Sequence, residues 1–314
     1  MNAFPRLIIA VVFSVGLSCS LNLPVHAASS SPKLAAYYDD FMAICNGRVY
    51  QWQESEKPQA SLSGIRQVGI GKKNRYALTD DDELLSWRDD PANPIVLMDD
   101  VQSFHAGRTG LLVIRNDNSL WQINSKSLLG FGEDVSEKPE LLAPAASTAS
   151  VGDSANYFVD DRGDLFVQGL AHRGQYGDGK LSATDDYVKT AADVVQVVSH
   201  TGHALILKRD GGVWGTGGNI YGPLGRHGYG DKAIRWGLIF SDATAIATGS
   251  SHSLAIRQDG SLWIWGRNEG LDAKKVMSNV SAVAAGNSSS IALRESSLWQ
   301  WRTGQKPQKI LNCD

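Results

Sequence analysis

The sequence predicts an all-β fold: a seven-bladed β-propeller of four-stranded blades, the ring closed by pairing of the first and last repeats. Three observations predict it. A turn-then-strand pattern recurs seven times. Each copy has the length and period-2 alternation for four short strands. Spacing within a copy is strict up to the third strand and loose after it.

The pattern is clearest in RQDGSLWIWGRNEG, residues 257–270. Asp259-Gly260 is a tight-turn dipeptide, and the run Ser261-Leu262-Trp263-Ile264-Trp265 follows it. Trp263 and Trp265, two residues apart, share one face of a strand. Asn46-Gly47 precedes Tyr50 and Trp52 in the same way, Asp82-Glu83 precedes Trp87, and Ser296-Ser297 precedes Trp299 and Trp301. Seven turn markers fall at 47, 82, 118, 163, 211, 260 and 296, with steps of 35, 36, 45, 48, 49 and 36 residues. A period of that size denotes a solenoid, a propeller or an array. The tryptophans are therefore read as packing between units, with Trp265 and Trp301 in the core at the position of Trp52 and Trp87.

The sixth copy divides into strands at 243–247, 252–256, 262–265 and 275–277, separated by turn residues and without helical periodicity. Seven such units protect their sheet edges by radial repetition. Gly71, Gly107, Gly152 and Gly249 each stand eleven residues before the marker, and His200 takes that place in the fifth copy. The length variation falls after the third strand, in long loops at 124–138, 169–190 and 217–233.

Residues 1–27 read as an export signal. Arg6 precedes an apolar run that begins at Leu7, and Val25-His26-Ala27 offers cleavage after Ala27. The propeller is expected over residues 28–314. The apolar run is short for a membrane span, and none is expected elsewhere. Without Arg6 the chain has 29 basic and 33 acidic residues, which is no footprint for nucleic acid. Cys45 and Cys313 remain, a disulfide candidate in an exported protein. Cys45 lies in the hairpin between second and third strands of copy one. Cys313 follows the last fourth strand. Hairpins of that kind and the links between copies share one propeller face, and ring closure brings copy seven beside copy one. A bridge is thus expected, shutting the ring.

Copies five to seven resemble the RCC1-like repeat family. The resemblance rests on residues 246–256 with Asp259-Gly260 and Trp265-Gly266-Arg267-Asn268, and on the glycine-rich loops at 169–177 and 218–225. It spans about residues 34–311 and degenerates in the earlier copies, where Asn74, Gly110 and Ala155 replace the repeat histidine. It implies a seven-bladed propeller, here an exported member of bacterial type. Members act as exchange factors for small GTPases or as secreted inhibitors of β-lactamases. Neither activity carries over residue by residue, but both imply a protein-binding surface.

His200 and His203 form an H-x-x-H pair, yet zinc needs three or four ligands. They are read as repeat histidines bonded to neighbouring backbone. The acidic runs at 80–83 and 160–164 are read as hairpin turns and not as calcium ligands. No nucleophile motif is present, and an enzyme is the less favoured class. No cofactor or metal is expected. The long loops share a face with the turns between first and second strands, and present His172, Arg173, Tyr176, Tyr221, Arg226, His227, Tyr229 and Trp236. Tyr, Trp and Arg are enriched at interface hot spots. The expectation is a secreted or periplasmic monomer that binds an unidentified protein, in an inhibitory or regulatory role. The alternative is a glycan- or cell-wall-binding propeller, in one version enzymatic.

Overall fold

The computed structural model describes residues 33–123, 138–227 and 230–314. The expected export signal, most of the 124–138 loop and Tyr229 lie outside the described residues. Among the described residues there are seven four-stranded antiparallel sheets, each made of four strands consecutive in sequence. The blades cover 34–63, 65–98, 101–143, 148–191, 194–240, 243–277 and 280–312. The seven-bladed propeller expected from the repeats is the fold.

Seven apolar clusters hold the ring, one between each pair of adjacent blades. The repeat tryptophans belong to them. Trp52, Trp87, Trp265 and Trp301 are all buried. Trp265 stacks on Phe240 of the preceding blade at 5.5 Å. Its neighbour Trp263 is half-buried and is capped by the Arg257 guanidinium at 4.5 Å. Arg294 over Trp299 and Lys208 over Trp214 repeat that arrangement. The paired tryptophans of the sixth repeat are thus one core wedge and one cation-covered flank.

In the sixth blade the strands run Ala243–Thr248, His252–Arg257, Leu262–Gly266 and Gly270–Met277. The outer strand starts five residues earlier than expected. Its early positions Leu271, Asp272, Lys274 and Lys275 face outward on an exposed edge. Edge strands tolerate charge, so this one carries no apolar alternation to read. Links between blades show a second regularity. Gly64, Asp100, Asp193, Asp242 and Asn279 each stand immediately before an inner strand, in a link of one or two residues, with φ between 57° and 68°. Only Gly, Asn and Asp adopt that left-handed region readily. The acidic runs also answer to turn geometry: Asp160 Oδ1 accepts from the Arg162 and Asp164 amides at 3.0 and 2.8 Å.

Blades one and seven pair side by side, with no strand exchanged between them. Leu34, Phe41 and Trp52 pack on Ile291, Leu293 and Leu298. Trp52 Nε1 donates to Gln300 Oε1 at 3.0 Å. A disulfide joins Cys45 to Cys313 with Cα atoms 5.0 Å apart. The Asn46-Gly47 turn, φ 51° and 69°, has the mirror-image geometry that a two-residue hairpin needs, and it fixes where Cys45 stands.

The bridge spans 268 positions, for which loop entropy gives a ceiling of about 5–6 kcal/mol. Cys45→Ser should therefore lower the thermal midpoint by several degrees. Intact mass after alkylation in denaturant should show no label before reduction and two labels after it. Two labels before reduction would mean that the seam is not covalently shut.

Candidate functional site

The loop-rich face is built outward from the channel. The seven inner strands surround a cavity of about 1110 Å³. Cys45, Asp161, Arg209 and Glu295 line its disulfide end, and Tyr37, Asp153 and His200 its loop-rich end. At that second end the ring is bridged. Tyr37 Oη donates to Asp153 Oδ1 at 3.1 Å and Tyr38 Oη to Asp153 Oδ2 at 2.9 Å, from blade one to blade four. The His200 ring stacks on Tyr37 at 5.9 Å. Burial, then the Asp153 charge, pushes the Tyr37 phenol pKa far up, so it remains a donor. The crossing narrows the channel here and ties opposite sides of the ring together.

Around this crossing the repeat histidines link blade to blade. His203 Nε2 lies 3.4 Å from Ser253 Oγ, and His252 Nε2 lies 2.8 Å from Ser290 Oγ. Their partners are hydroxyls of the next blade, where neighbouring backbone had been expected. The repeat supplies both halves, since a serine follows the histidine position in blades six and seven. In blade seven that position is Ser289, which donates to Glu54 of blade one. Arg302 Nε holds the same carboxylate at 2.7 Å. Among the described residues no group of three or more metal-ligating side chains stands together.

The blade-four loop is consumed by its own packing. Tyr176 is 2% exposed; its Oη donates to Gly169 O at 2.8 Å and accepts from the Thr184 amide at 3.2 Å. Trp236 of blade five covers Gly177 so closely that a Cβ there would meet Nε1 at 2.5 Å. His227 Nε2 donates to Arg235 O at 2.9 Å. Tyr176 is thus spent on bracing its loop, a correction to its reading as presented surface, whereas Trp236 and His227 brace loops and remain half-buried. His172 and Arg173 are exposed, with Arg173 lying along Gly202 of blade five.

The segment 219–227 of the blade-five loop is likewise braced but leaves side chains free. Asn219 is its hub: Oδ1 accepts from the Leu224 amide at 2.9 Å, and Nδ2 donates to His227 O at 3.0 Å. Leu224 is fully buried. Pro223 O accepts from Trp265 Nε1 and from Ser253 Oγ, both at 2.8 Å. The core tryptophan of blade six therefore anchors the loop of blade five. What remains outside is Ile220 at 61% exposure and Tyr221 at 53%, next to Leu271 at 47%. Arg226 is exposed but paired through both donors with Asp272 at 2.6 Å. Arg267 lies 4.8 Å above the Tyr221 ring. Of the expected residues, the structure brings Tyr221 and Arg226 together at one cavity. Ile220, Arg267 and Leu271 complete that cavity and were not foreseen.

Residues 243–269 match the regulator of chromosome condensation (RCC1) repeat. The chain is similar to the RCC1 repeat proteins. No curated protein matches its sequence. Among solved structures it resembles human WBSCR16 at TM-score 0.72 and 16% identity, over 81% of this chain and 84% of that one. Prp20p of Saccharomyces cerevisiae gives TM-score 0.70 and 14% identity, over 81% and 80%. The CRINKLY WD40 ectodomain of the Arabidopsis thaliana receptor kinase ACR4 gives 0.58 and 14%, over 90% and 98%. At these identities the likeness is one of fold.

Two outcomes test this framework. Trp265→Phe removes the Nε1 donor and part of the buried ring, so it should cost about 2 kcal/mol and speed amide exchange in the 219–227 loop. Trp265→Ala should cost about 3–5 kcal/mol. Stability should also depend on pH through the buried histidines. Burial lowers the pKa of His203 and His252 to about 3 and of His105 to about 4, from 6.5. The unfolded chain binds more protons between those values, so this stabilisation is complete above 6.5 and is lost as pH falls through the window. Melting curves from pH 7 to 4 should show the midpoint falling, and His252→Gln should make the fall shallower.

Proposed function

We propose that this chain is an exported protein, periplasmic or extracellular, that binds another protein through its loop-rich face. The observation that carries the reading is the exposed trio of Ile220, Tyr221 and Leu271 on a backbone that Asn219, Pro223 and Trp265 hold still. Large apolar side chains clustered on a fixed surface are what protein partners bury. Little ordering entropy is lost when such a loop is engaged.

Other features support the reading. The Arg6, apolar and Ala27 pattern and the paired cysteines suit export. The work on Prp20p concerns its binding to Gsp1p and histones, and the ACR4 relative is an ectodomain. A net charge of −3 disfavours nucleic acid as the partner. Arg267 covers one face of the Tyr221 ring, and the exposed side chains beside it, Ile220 and Leu271, are aliphatic and offer a sugar no further stacking surface. That favours a protein over a glycan. The protein acts as a monomer, and covering part of its partner's surface gives it an inhibitory or regulatory role without cofactor or catalysis.

Secreted material should begin at Ala28 by N-terminal mass spectrometry. Immobilised mature protein should capture one stoichiometric protein from periplasmic extract or culture fluid. That protein should re-form a complex of defined stoichiometry when purified. Ile220→Asp combined with Tyr221→Ala should weaken the complex by roughly tenfold or more. Retention on cell-wall polysaccharide with no protein captured would sink the reading.

A further inference from the structure

Two cavities of about 660 and 360 Å³ open on the loop-rich face and share Arg267 and Asn268. Ile220, Tyr221 and Leu271 wall the first. Glu54, Arg302 and Asp39 lie in the second. They form one groove from blade five to blade one, with Arg267 at its middle.

The arginines along this groove differ in one respect. Arg226 is paired with Asp272, and Arg302 with Glu54. Arg267 has the Tyr221 ring beside it and, among the described residues, no ion pair with a carboxylate. Stacking on a ring steadies a guanidinium and leaves its edge N–H groups available, the arrangement that receives a carboxylate through two parallel bonds. The backbone beneath is fixed as well. The Arg267 amide donates to Ser251 O at 3.0 Å, and the Glu269 amide to Gly266 O at 2.9 Å. Asn268 sits at φ 62° with Nδ2 3.4 Å from Thr303 Oγ1. At the far end Asp39 and Glu54 outnumber Arg302. An incoming carboxylate is repelled there and drawn to Arg267.

We propose, building on the protein-binding reading, that this groove is a two-point seat for a partner segment in which an acidic side chain neighbours a large apolar one. The carboxylate pairs with Arg267. The apolar side chain lies against Ile220, Tyr221 and Leu271. The acidic far end sets the direction of the segment and excludes a second carboxylate.

The test uses the mature, disulfide-closed protein. Random dodecapeptides displayed on phage are selected on it and counter-selected on a variant carrying Arg267→Glu and Leu271→Asp, with its melting midpoint checked against wild type. The enriched peptides should pair Asp or Glu with Phe, Leu, Ile or Trp within about three positions. A synthetic peptide of that kind should lose roughly tenfold or more in affinity on Arg267→Ala and on Leu271→Asp. Arg267→Lys should restore only part of it, because an ammonium cannot form the paired bonds. Enrichment of acid-free peptides, affinity indifferent to Arg267→Ala, or no enrichment over the variant would each overturn the seat. The broader reading is judged separately. A natural partner held equally by wild type and the double variant refutes the seat alone. Selected peptides that behave as expected, with no natural protein captured, uphold the seat and refute the protein-binding role.

Discussion

The structure depends on closing one seam. Six of the seven blade interfaces are joined by the chain itself, and at several of them the hairpin of the next blade also bonds to the link. Asp80 N donates to Gly64 O, Asn116 N to Asp100 O and Arg209 N to Asp193 O, at 2.9–3.0 Å. Among the described residues no chain passes between blade seven and blade one. The disulfide stands where the link would be: Cys313 follows the outer strand Gln308–Asn312, and Cys45 is on the hairpin it should meet. Asn46 Nδ2 donates to Asp314 O at 2.7 Å beside it. A covalent bond thus replaces the missing connection on the same face where every other connection runs. The Glu54–Arg302 pair braces the opposite face of the seam. It is partly exposed and so contributes less than the apolar cluster beneath it.

A closed ring has consequences for the loops it carries. Each blade is wedged between two others, so a side chain in one blade can fix a loop from the blade before. Trp265 does this twice, stacking on Phe240 and donating to Pro223 O. The same indole that fills the blade interface therefore determines where Ile220 and Tyr221 stand. Tyr37 and Tyr38 do the equivalent across the channel, holding Asp153 on the far side. Packing and presentation are one network here. A change in the core is expected to be felt at the surface even where the fold survives.

Much of the fold was legible in the sequence because its information is local and repeated. Turn dipeptides, period-2 strands and fixed spacing recur in every blade, and a cyclic topology then places Cys45 against Cys313 without further assumption. The outer strand Gly270–Met277 was only partly legible, since an exposed edge carries charges where a buried strand would alternate. The site was harder to read for a different reason. Tyr176 and Tyr221 lie in equivalent glycine-rich loops, and composition treats them alike. Only contacts from other segments separate them: Tyr176 is held by Gly169 and Thr184, whereas Tyr221 has an arginine beside it and solvent around it. Ile220 and Leu271 were passed over because aliphatic residues in a repeat are read as core. Arg267 was passed over because it belongs to the repeat motif.

That last point bears on how a repeat acquires a function. In the sixth blade the loop after the third strand is only three residues long, and Arg267 and Asn268 follow the motif closely. Nothing in that blade alone makes a site. The neighbouring blade has a longer insertion, and Asn219 folds it down so that Tyr221 comes to rest beside Arg267. A short motif loop supplies a steady charge, and a long loop next to it supplies the apolar rim. The rigid scaffold keeps the two at fixed separation. Variation confined to one loop can thus turn the exposed arginine of a short neighbouring loop into the centre of a surface, with no change in the blades beneath it.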